Sequence, residues 1–432
     1  MLKKISCSKS NYEKKLSSYV AKGGIDNKKR SKVVRNIIDQ IRKNKNKALL
    51  NYSNKFENNV FTDFNSLKVS DEEIANAFSL CSKEFHNSVK LAIKRITNYQ
   101  RKLMPKNMYY KDQTGTKLGS IWSPLASCGL YVPGGKALYP SSVLMNGIPA
   151  KIAGVKRIVI TTPASNNQLR PEILVAAKAV GVNEIYKIGG AQAIAALAFG
   201  TENIKKVDKI VGPGNSFVTE AKKQLYGYVG IDSIAGPSEI LVIADKYNNP
   251  KWVAMDLLSQ AEHDEEARSI LISDNKEFIN EVNKSLLVFL KSINRKKIAT
   301  KSIKNNGLAI FIQDINDAHL LANYIAPEHL EIMTKNRKVL AKKITNAGAI
   351  FMGKYTPESF GDYVAGPSHV LPTSGNARFE SGLSVLDFLK RTSYIEANKV
   401  GLKNTLNAIE VLGNSEGLDA HVQSAKIRFS KE

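Results

Sequence analysis

The sequence predicts an α/β fold built on open, mostly parallel sheets. Three observations carry that expectation. From about residue 119, short β-branched runs alternate with helical stretches. Several of the helical stretches stop at glycine. The pattern then restarts, which gives two α/β units. No repeat of 20–50 residues is visible, so a solenoid is excluded.

Residues 1–110 are polar and helical in pattern, with apolar positions at helical spacing in Val33–Ile41 and Val89–Ile96. In the first unit, RIVITTP (157–163) is a buried strand and EILVAAKAVG (172–181) a helix with a glycine stop. EIYKIGG (184–190) is a strand, AQAIAALAFG (191–200) a helix, DKIVGPGN (208–215) a strand with its turn, and SFVTEAKKQLYG (216–227) a helix. The second unit repeats the alternation. EILVIAD (239–245), RSILISD (268–274), GLAIFIQD (307–314) and HLEIM (329–333) are strands. KWVAMDLLSQAE (251–262) and DAHLLANYI (317–325) are helices. Beyond about residue 345, glycine, proline and polar residues crowd together with Phe, Tyr, Leu and Val among them. A long irregular segment of that kind in a compact protein points to function. From SYIEANKVGL (393–402) to the end, the sequence predicts a helix, a break at Gly413–Gly417, and a second helix.

The 432 residues hold enough apolar sequence for two or three domains. Lys and Arg number 63 against 39 Asp and Glu, a net charge of +24. The basic residues are scattered and not interleaved with aromatics, so they predict solvated helix faces and no nucleic-acid partner. Cys7, Cys81 and Cys128 form no CxxC pair, which excludes a zinc ribbon and suits a reducing compartment. The N-terminal stretch MLKKISCSKSNYEKKL lacks an apolar signal region. The longest apolar stretch, Val143–Ile160, is broken by Lys151, Lys156 and Arg157. The expectation is a cytoplasmic protein with no membrane segment.

Four of the six histidines keep notable company: His263 after Gln260, His329 after Glu328, His369 in GPSHV, and His421 in DAH. Gln260 and His263 are three apart near a helix end, a spacing that can aim both side chains at one point. Joined by a remote carboxylate and a remote histidine, they would make a mixed N/O site suited to Zn²⁺ and its neighbours. A solvated helix end, ringed by Glu262, Asp264, Glu265 and Glu266, is the plainer alternative. Glu328 and His329 sit at a helix-to-strand junction. Adjacent side chains on extended backbone diverge and could move two different protons, and a polar turn explains the pair equally well. The glycine turns YVPGG (131–135), GGAQAIAALAFG (189–200) and GPGN (212–215) offer N–H groups to a phosphate, yet no GxGxxG follows a strand. Nucleotide binding and ordinary βα connections both remain open on this ground.

Taken together and in order, YVPGG, GPGNSFVTEAK, AGPSE, LLSQAEHD, NYIAPEHLEI, YTPESFGDYVAGPSHVLPTSGNARFESGLSV and EGLDAH resemble the histidinol dehydrogenase family over about residues 119–421. The resemblance implies an α/β fold of two incomplete Rossmann-like domains with open, mostly parallel sheets, plus small helical N- and C-terminal segments. Its division is 1–25 as an N-terminal segment, 26–128 with 239–380 as one domain, 129–238 as the NAD-binding domain, and 381–432 as a helical tail. It implies one Zn²⁺ per subunit on Gln260, His263, Asp362 and His421. It implies Glu328 and His329 as the catalytic pair. Substrate contacts would come from Ser238, Gln260, His263, His329, Asp362, His369, Glu416 and His421, and NAD contacts from Tyr131, Gln192 and Asn215. It further implies L-histidinol as substrate, oxidised in two NAD-dependent steps through a held aldehyde to histidine. The partner it implies is a second copy of the chain, in a homodimer with shared active sites. A zinc hydrolase using the same cluster is the competing expectation.

Overall fold

The structure is a computed structural model, and it describes residues 1–21, 28–57, 59–134 and 139–430. Gly135 of the YVPGG turn, residues 22–25 of the expected N-terminal segment, and 431–432 of the tail lie outside the described residues. In chain order the strands begin with β1 (Lys3–Ser6), β2 (Met108–Lys111), β3 (Lys117–Pro124), β4 (Ser127–Tyr131) and β5 (Arg157–Thr161). They continue with β6 (Glu184–Tyr186), β7 (Lys209–Val211), β8 (Gly230–Ile231), β9 (Glu239–Ile243) and β10 (Arg268–Ser273). The last are β11 (Leu308–Phe311), β12 (His329–Ile332), β13 (Ala349–Met352) and β14 (Leu389–Glu396).

Two parallel sheets carry the fold. One has the order β6-β5-β4-β7-β8, and the other β1-β11-β10-β9-β12-β13. Counted from its first strand in sequence, each is a 3-2-1-4-5 arrangement, with β1 added at one edge of the larger. That is the doubly wound order short of its sixth strand. Both faces of each sheet are covered. Ile240 and Val242 of β9 enter one apolar cluster while Leu241 and Ile243 enter the opposite one. A strand buried on both faces shows a continuous β-branched run and no alternation, which is why EILVI stands out in the sequence.

Three features depart from the expectation. First, β2, β3 and β14 form a small antiparallel sheet in the order β14-β3-β2. Residues Ser393–Glu396 belong to it and so are strand, with the tail helix beginning only at Lys399. These strands lie largely at the surface, so no buried stripe marks them. Second, β1 and β13 lie where helix and irregular chain were expected, and each pairs at an edge of the six-stranded sheet. Third, the helices Lys28–Phe56, Asp71–Leu80 and Lys83–Lys102 pack on helices of the five-stranded sheet, although the sequence division groups 26–128 with the other unit. Amphipathic periodicity shows that a helix has a buried face but not which partner covers it.

The turn after β7 is held by a buried ion pair. Lys222 meets Asp232, and both side chains are buried. Lys222 Nζ also donates to the Gly212 carbonyl at 3.1 Å, and the Gly212 N–H donates to Asp232 at 2.7 Å. Gly212 has φ +110°, and a Cβ there would lie 2.1 Å from the Tyr131 carbonyl oxygen, so only glycine fits. Removing one partner of a buried pair strands the other charge. Lys222→Met is therefore expected to lower unfolding free energy by about 3–5 kcal/mol in denaturant titration. A loss under 1 kcal/mol would show that the pair is not a clamp.

Candidate active site

The strongest concentration of buried polar groups lies at the amino end of β9 and β12. Glu239 precedes the first β9–β12 pair, Ile240 with His329. Its backbone on this side is met by side chains. The Glu239 N–H donates to Glu328 Oε2 at 2.8 Å, and His329 Nδ1 lies 3.0 Å from the Glu239 carbonyl. Since a carbonyl can only accept, Nδ1 carries the proton and Nε2 is left as the base. Nε2 is buried without a hydrogen-bond partner and lies 3.9 Å from Asp362 Oδ1. Burial, first, pushes the imidazole down to about 4, against the opposing pull of Asp362 and the Glu239 carbonyl. Burial also raises Glu328 well above the usual carboxylate range. The His329 ring is therefore uncharged near neutral pH before any ligand binds.

A second layer faces this pair. The short helix Glu358–Tyr363 places Glu358 and Asp362 four residues apart on one face. Glu358 is fixed by its own N–H, which donates to Glu331 Oε1 at 2.8 Å. His263 stands just past the end of the helix Pro250–Ala261. One ligating atom from each of His263, Glu358 and Asp362 can be chosen so that all lie within 4.8 Å of one another. Burial lowers the His263 imidazole, against the opposing pull of Asp362 and Glu262, which favours the neutral form a metal ligand needs. Glu358 Oε2 is buried with no partner. One imidazole nitrogen and two carboxylate oxygens suit Zn²⁺ or a neighbouring transition metal, so the donor set fits the metal expected from the sequence.

The expected residues fall into three groups. Gln260, His263, Glu328, His329 and Asp362 converge. With its amide nitrogen turned inward, the buried Gln260 reaches Glu358 Oε1 at 3.0 Å and the Glu239 carbonyl at 3.1 Å. His369 borders the cluster. Its Nδ1 lies 3.0 Å from the Asp362 carbonyl, and its Nε2 lies 3.2 Å from Ser142 Oγ. Ser238 is half-buried immediately before β9, with its carbonyl taken by the Arg268 N–H at 2.9 Å. Glu416 and His421 are exposed on tail helices that pack mainly on each other. Glu358 was not anticipated. The signal for it was present, because Glu358 and Asp362 sit at i, i+4 in YTPESFGDY.

The third group lies elsewhere. Tyr131, Gln192 and Asn215 all line one cavity of about 1380 Å³ at the carboxyl ends of the five-stranded sheet. Tyr131 ends β4, and its hydroxyl accepts from the Gly190 N–H at 3.1 Å. Asn215 caps the helix Ser216–Leu225 by accepting from Phe217 and Val218. Gln192 lies in the first turn of the helix Gly190–Phe199. The floor of the crevice lies where a doubly wound sheet binds a nucleotide.

A family model described as histidinol dehydrogenase matches residues 21–429. A curated histidinol dehydrogenase of Gluconobacter oxydans is 45% identical over 430 residues, all of both chains. That of Agrobacterium fabrum is 51% identical over 399 residues, 92% of each chain. Among solved structures, a histidinol dehydrogenase from Elizabethkingia anophelis superposes with a TM-score of 0.93 at 35% identity, covering 99% of this chain and 98% of that one.

The electrostatics of His329 are directly measurable. In protein stripped of metal, the ring is expected to remain neutral as the Nδ1–H tautomer down to about pH 4. The unfolded chain takes up the proton near 6.5, so this residue's contribution to stability is complete above that value and lost as pH falls toward 4. Imidazole ¹⁵N NMR reads both points. A ring already protonated at pH 6 would contradict the geometry.

Proposed function

The chain belongs to the histidinol dehydrogenase family, and from that premise we propose that it oxidises L-histidinol to L-histidine in two NAD-dependent steps of histidine biosynthesis. The observation that carries the reading is His329: a buried imidazole with Nδ1 engaged and Nε2 bare, facing a carboxylate-rich cluster. A cytoplasmic setting suits the three unpaired cysteines. No helix among the described residues is long and apolar enough to cross a membrane.

In this reading Gln260, His263 and Asp362, with His421, hold one zinc per subunit, and Glu358 stands within the same reach. Tyr131, Gln192 and Asn215 hold NAD. Bound zinc would supply a Lewis acid that polarises the substrate without taking electrons, and bound NAD would supply the hydride acceptor. His329 Nε2 accepts the hydroxyl proton in the first oxidation. Its ring is held by the Glu239 carbonyl, so the charge that develops is met by a fixed dipole. The aldehyde stays in the site, where exclusion of water limits side reactions. Glu328 then activates the water that adds to it, and burial makes its ionised carboxylate a stronger base than a solvated one. His329 serves again in the second oxidation. Ser238, His369 and Glu416 fix the rest of the substrate. A zinc hydrolase on the same cluster would not need the second cavity, whose place at the carboxyl ends of a doubly wound sheet favours the oxidoreductase.

Enzyme, L-histidinol and NAD are expected to give two NADH for each histidinol consumed, followed by absorbance. No NADH with metal-loaded protein would overturn the proposal. Glu328→Gln keeps shape but cannot activate water, so it is expected to slow aldehyde oxidation far more than alcohol oxidation. His329→Asn is expected to slow both, each on the order of a hundred- to ten-thousand-fold. Equal loss in both half-reactions for Glu328→Gln would refute its role.

The site is shared between two copies of the chain. The tail exposes Val411, Leu412 and Leu418 beside Glu416 and His421, an apolar surface that a second copy would cover. Each site then takes Glu416 and His421 from one subunit and the remaining residues from the other. Inactive His421→Asn and His329→Asn variants, mixed under conditions of subunit exchange, are expected to recover about a quarter of wild-type sites. No recovery, with exchange verified by mass, would show that His421 serves its own subunit.

A further inference from the structure

Glu57 belongs to none of the groups above, yet it sits in the wall of the large cavity with Tyr131, Gln192 and Asn215. It follows the long helix Lys28–Phe56, which precedes every strand of the five-stranded sheet in sequence and packs on its helices. Its Oε1 accepts from the Gly189 N–H at 2.8 Å and from Gln192 Nε2 at 3.2 Å. Its Oε2 is buried and has no hydrogen-bond partner. An unmatched buried carboxylate oxygen is costly unless a donor arrives. Burial accordingly raises this carboxyl to about 7, although the Gly189 and Ala164 N–H groups and Gln192 oppose the rise. Glu73 also lines the cavity, but Lys187 matches it at 2.6 Å.

The strand order says what Glu57 stands in for. In the arrangement β6-β5-β4-β7-β8, β5 is the second strand of the nucleotide-binding pattern. At the end of that strand such units keep a carboxylate that accepts from the ribose hydroxyls. Here β5 runs into Thr162, Pro163 and Ala164, with no acid among them. The chain just after Glu57 is fastened to this same loop. Asn59 Nδ2 donates to the Ala164 carbonyl at 3.4 Å, the Asn167 N–H donates to Asn59 Oδ1 at 2.9 Å, and the Val60 N–H donates to Asn167 Oδ1 at 2.9 Å. The missing carboxylate is thus delivered by a segment about 100 residues upstream of the end of β5, the strand it serves.

We propose that Glu57 is the ribose-recognition residue of the dinucleotide cavity, accepting from the 2′-hydroxyl through its unmatched Oε2 and excluding cofactors that carry a 2′-phosphate. The inference rests on reading the cavity as the NAD site. A dianionic phosphate at that position would face a buried carboxylate at close range, with like charge and, among the described residues that line the cavity, no buried cation to offset it. Arg170 reaches the cavity wall, but it is largely exposed and lies 3.6 Å from Glu172.

The test is equilibrium binding of NADH and of NADPH to the full-length protein by calorimetry, with hydrogen exchange to locate the ligand. Wild-type protein is expected to bind NADH in strong preference to NADPH, with NADH protecting backbone amides near Tyr131 and Gly189–Gln192. Glu57→Gln is expected to weaken NADH roughly ten- to a hundred-fold, the range for a hydrogen bond to a charged group, and to shrink the preference over NADPH. Glu57→Asp keeps the charge but withdraws it, so it should weaken NADH while still rejecting NADPH. It decides the matter if Glu57→Gln does not fold. Protection absent from both segments in the wild type would overturn the cavity reading and this inference with it. Protection present, but an unchanged NADH-to-NADPH ratio in Glu57→Gln, or NADPH accepted by Glu57→Asp, would overturn the role of Glu57 alone.

Discussion

The cluster depends on one backbone residue, Glu239. A strand that ends must dispose of its N–H and C=O, because buried backbone groups are nearly always paired. At Glu239 the partners are the two side chains of the proposed catalytic pair: Glu328 takes the N–H and His329 takes the carbonyl. The tautomer of His329, the direction of Nε2 and the position of the Glu328 carboxylate all follow from where β9 stops pairing with β12. The Glu239 side chain is fixed in turn. It lies 3.3 Å from Arg268, both buried, and it accepts from the Ser374 N–H at 3.3 Å. The Tyr19 ring packs under the Arg268 guanidinium at 5.1 Å. A residue in the first helix of the chain thereby supports the base from behind, so the N-terminal region contributes to the site without touching it.

What the sequence made legible was local. Strands buried on both faces stood out as continuous β-branched runs, and helices stood out by glycine stops at Gly181 and Gly200. Gln260, His263, Glu328 and His329 were legible because each pair lies within four residues. Features set by distant pairing were not. Ser393–Glu396 of β14 carries no strand signal, because its ladder partner, β3, is more than about 250 residues away and its burial shows no period of two. Glu358 was passed over although its spacing to Asp362 was a helical one, because a carboxylate in a Gly/Pro-rich stretch has many ordinary explanations. Glu239 and Glu57 had no local signal. One acts through its backbone at a strand end, and the other through a cavity assembled from separate segments.

The two sheets share a strand order but use opposite ends. The cavity with Tyr131, Gln192 and Asn215 opens at the carboxyl ends of its strands, the usual place for a nucleotide. The Glu239, Glu328 and His329 cluster lies at the amino ends of β9 and β12. A domain of this order offers free helix N-termini at its carboxyl edge, which suit phosphates. Its amino edge offers strand starts and helix ends, where side chains can fill what the ladder leaves open. The same topology therefore supplies two different environments, one polarised for an anion and one dry enough to hold a neutral imidazole.

Joining those environments falls to the long segment after β13. His369 touches Ser142 at 3.2 Å, and Ser368 Oγ reaches the Met145 carbonyl at 3.4 Å, both on the helix Pro140–Ala153 of the five-stranded unit. Within the same stretch, Asp362 belongs to the candidate metal triad, and its carbonyl meets His369. The Ser374 N–H donates to the Glu239 carboxylate, and the Val385 N–H donates to the Gln100 side-chain oxygen on the helix Lys83–Lys102. A segment with contacts in both units forms only short elements such as the helix Glu358–Tyr363, and several of its hydrogen bonds go outward to four different partners. Its glycines and prolines follow from that demand. The irregularity that marked it in the sequence is the physical consequence of bridging a buried acid–base cluster to a second domain.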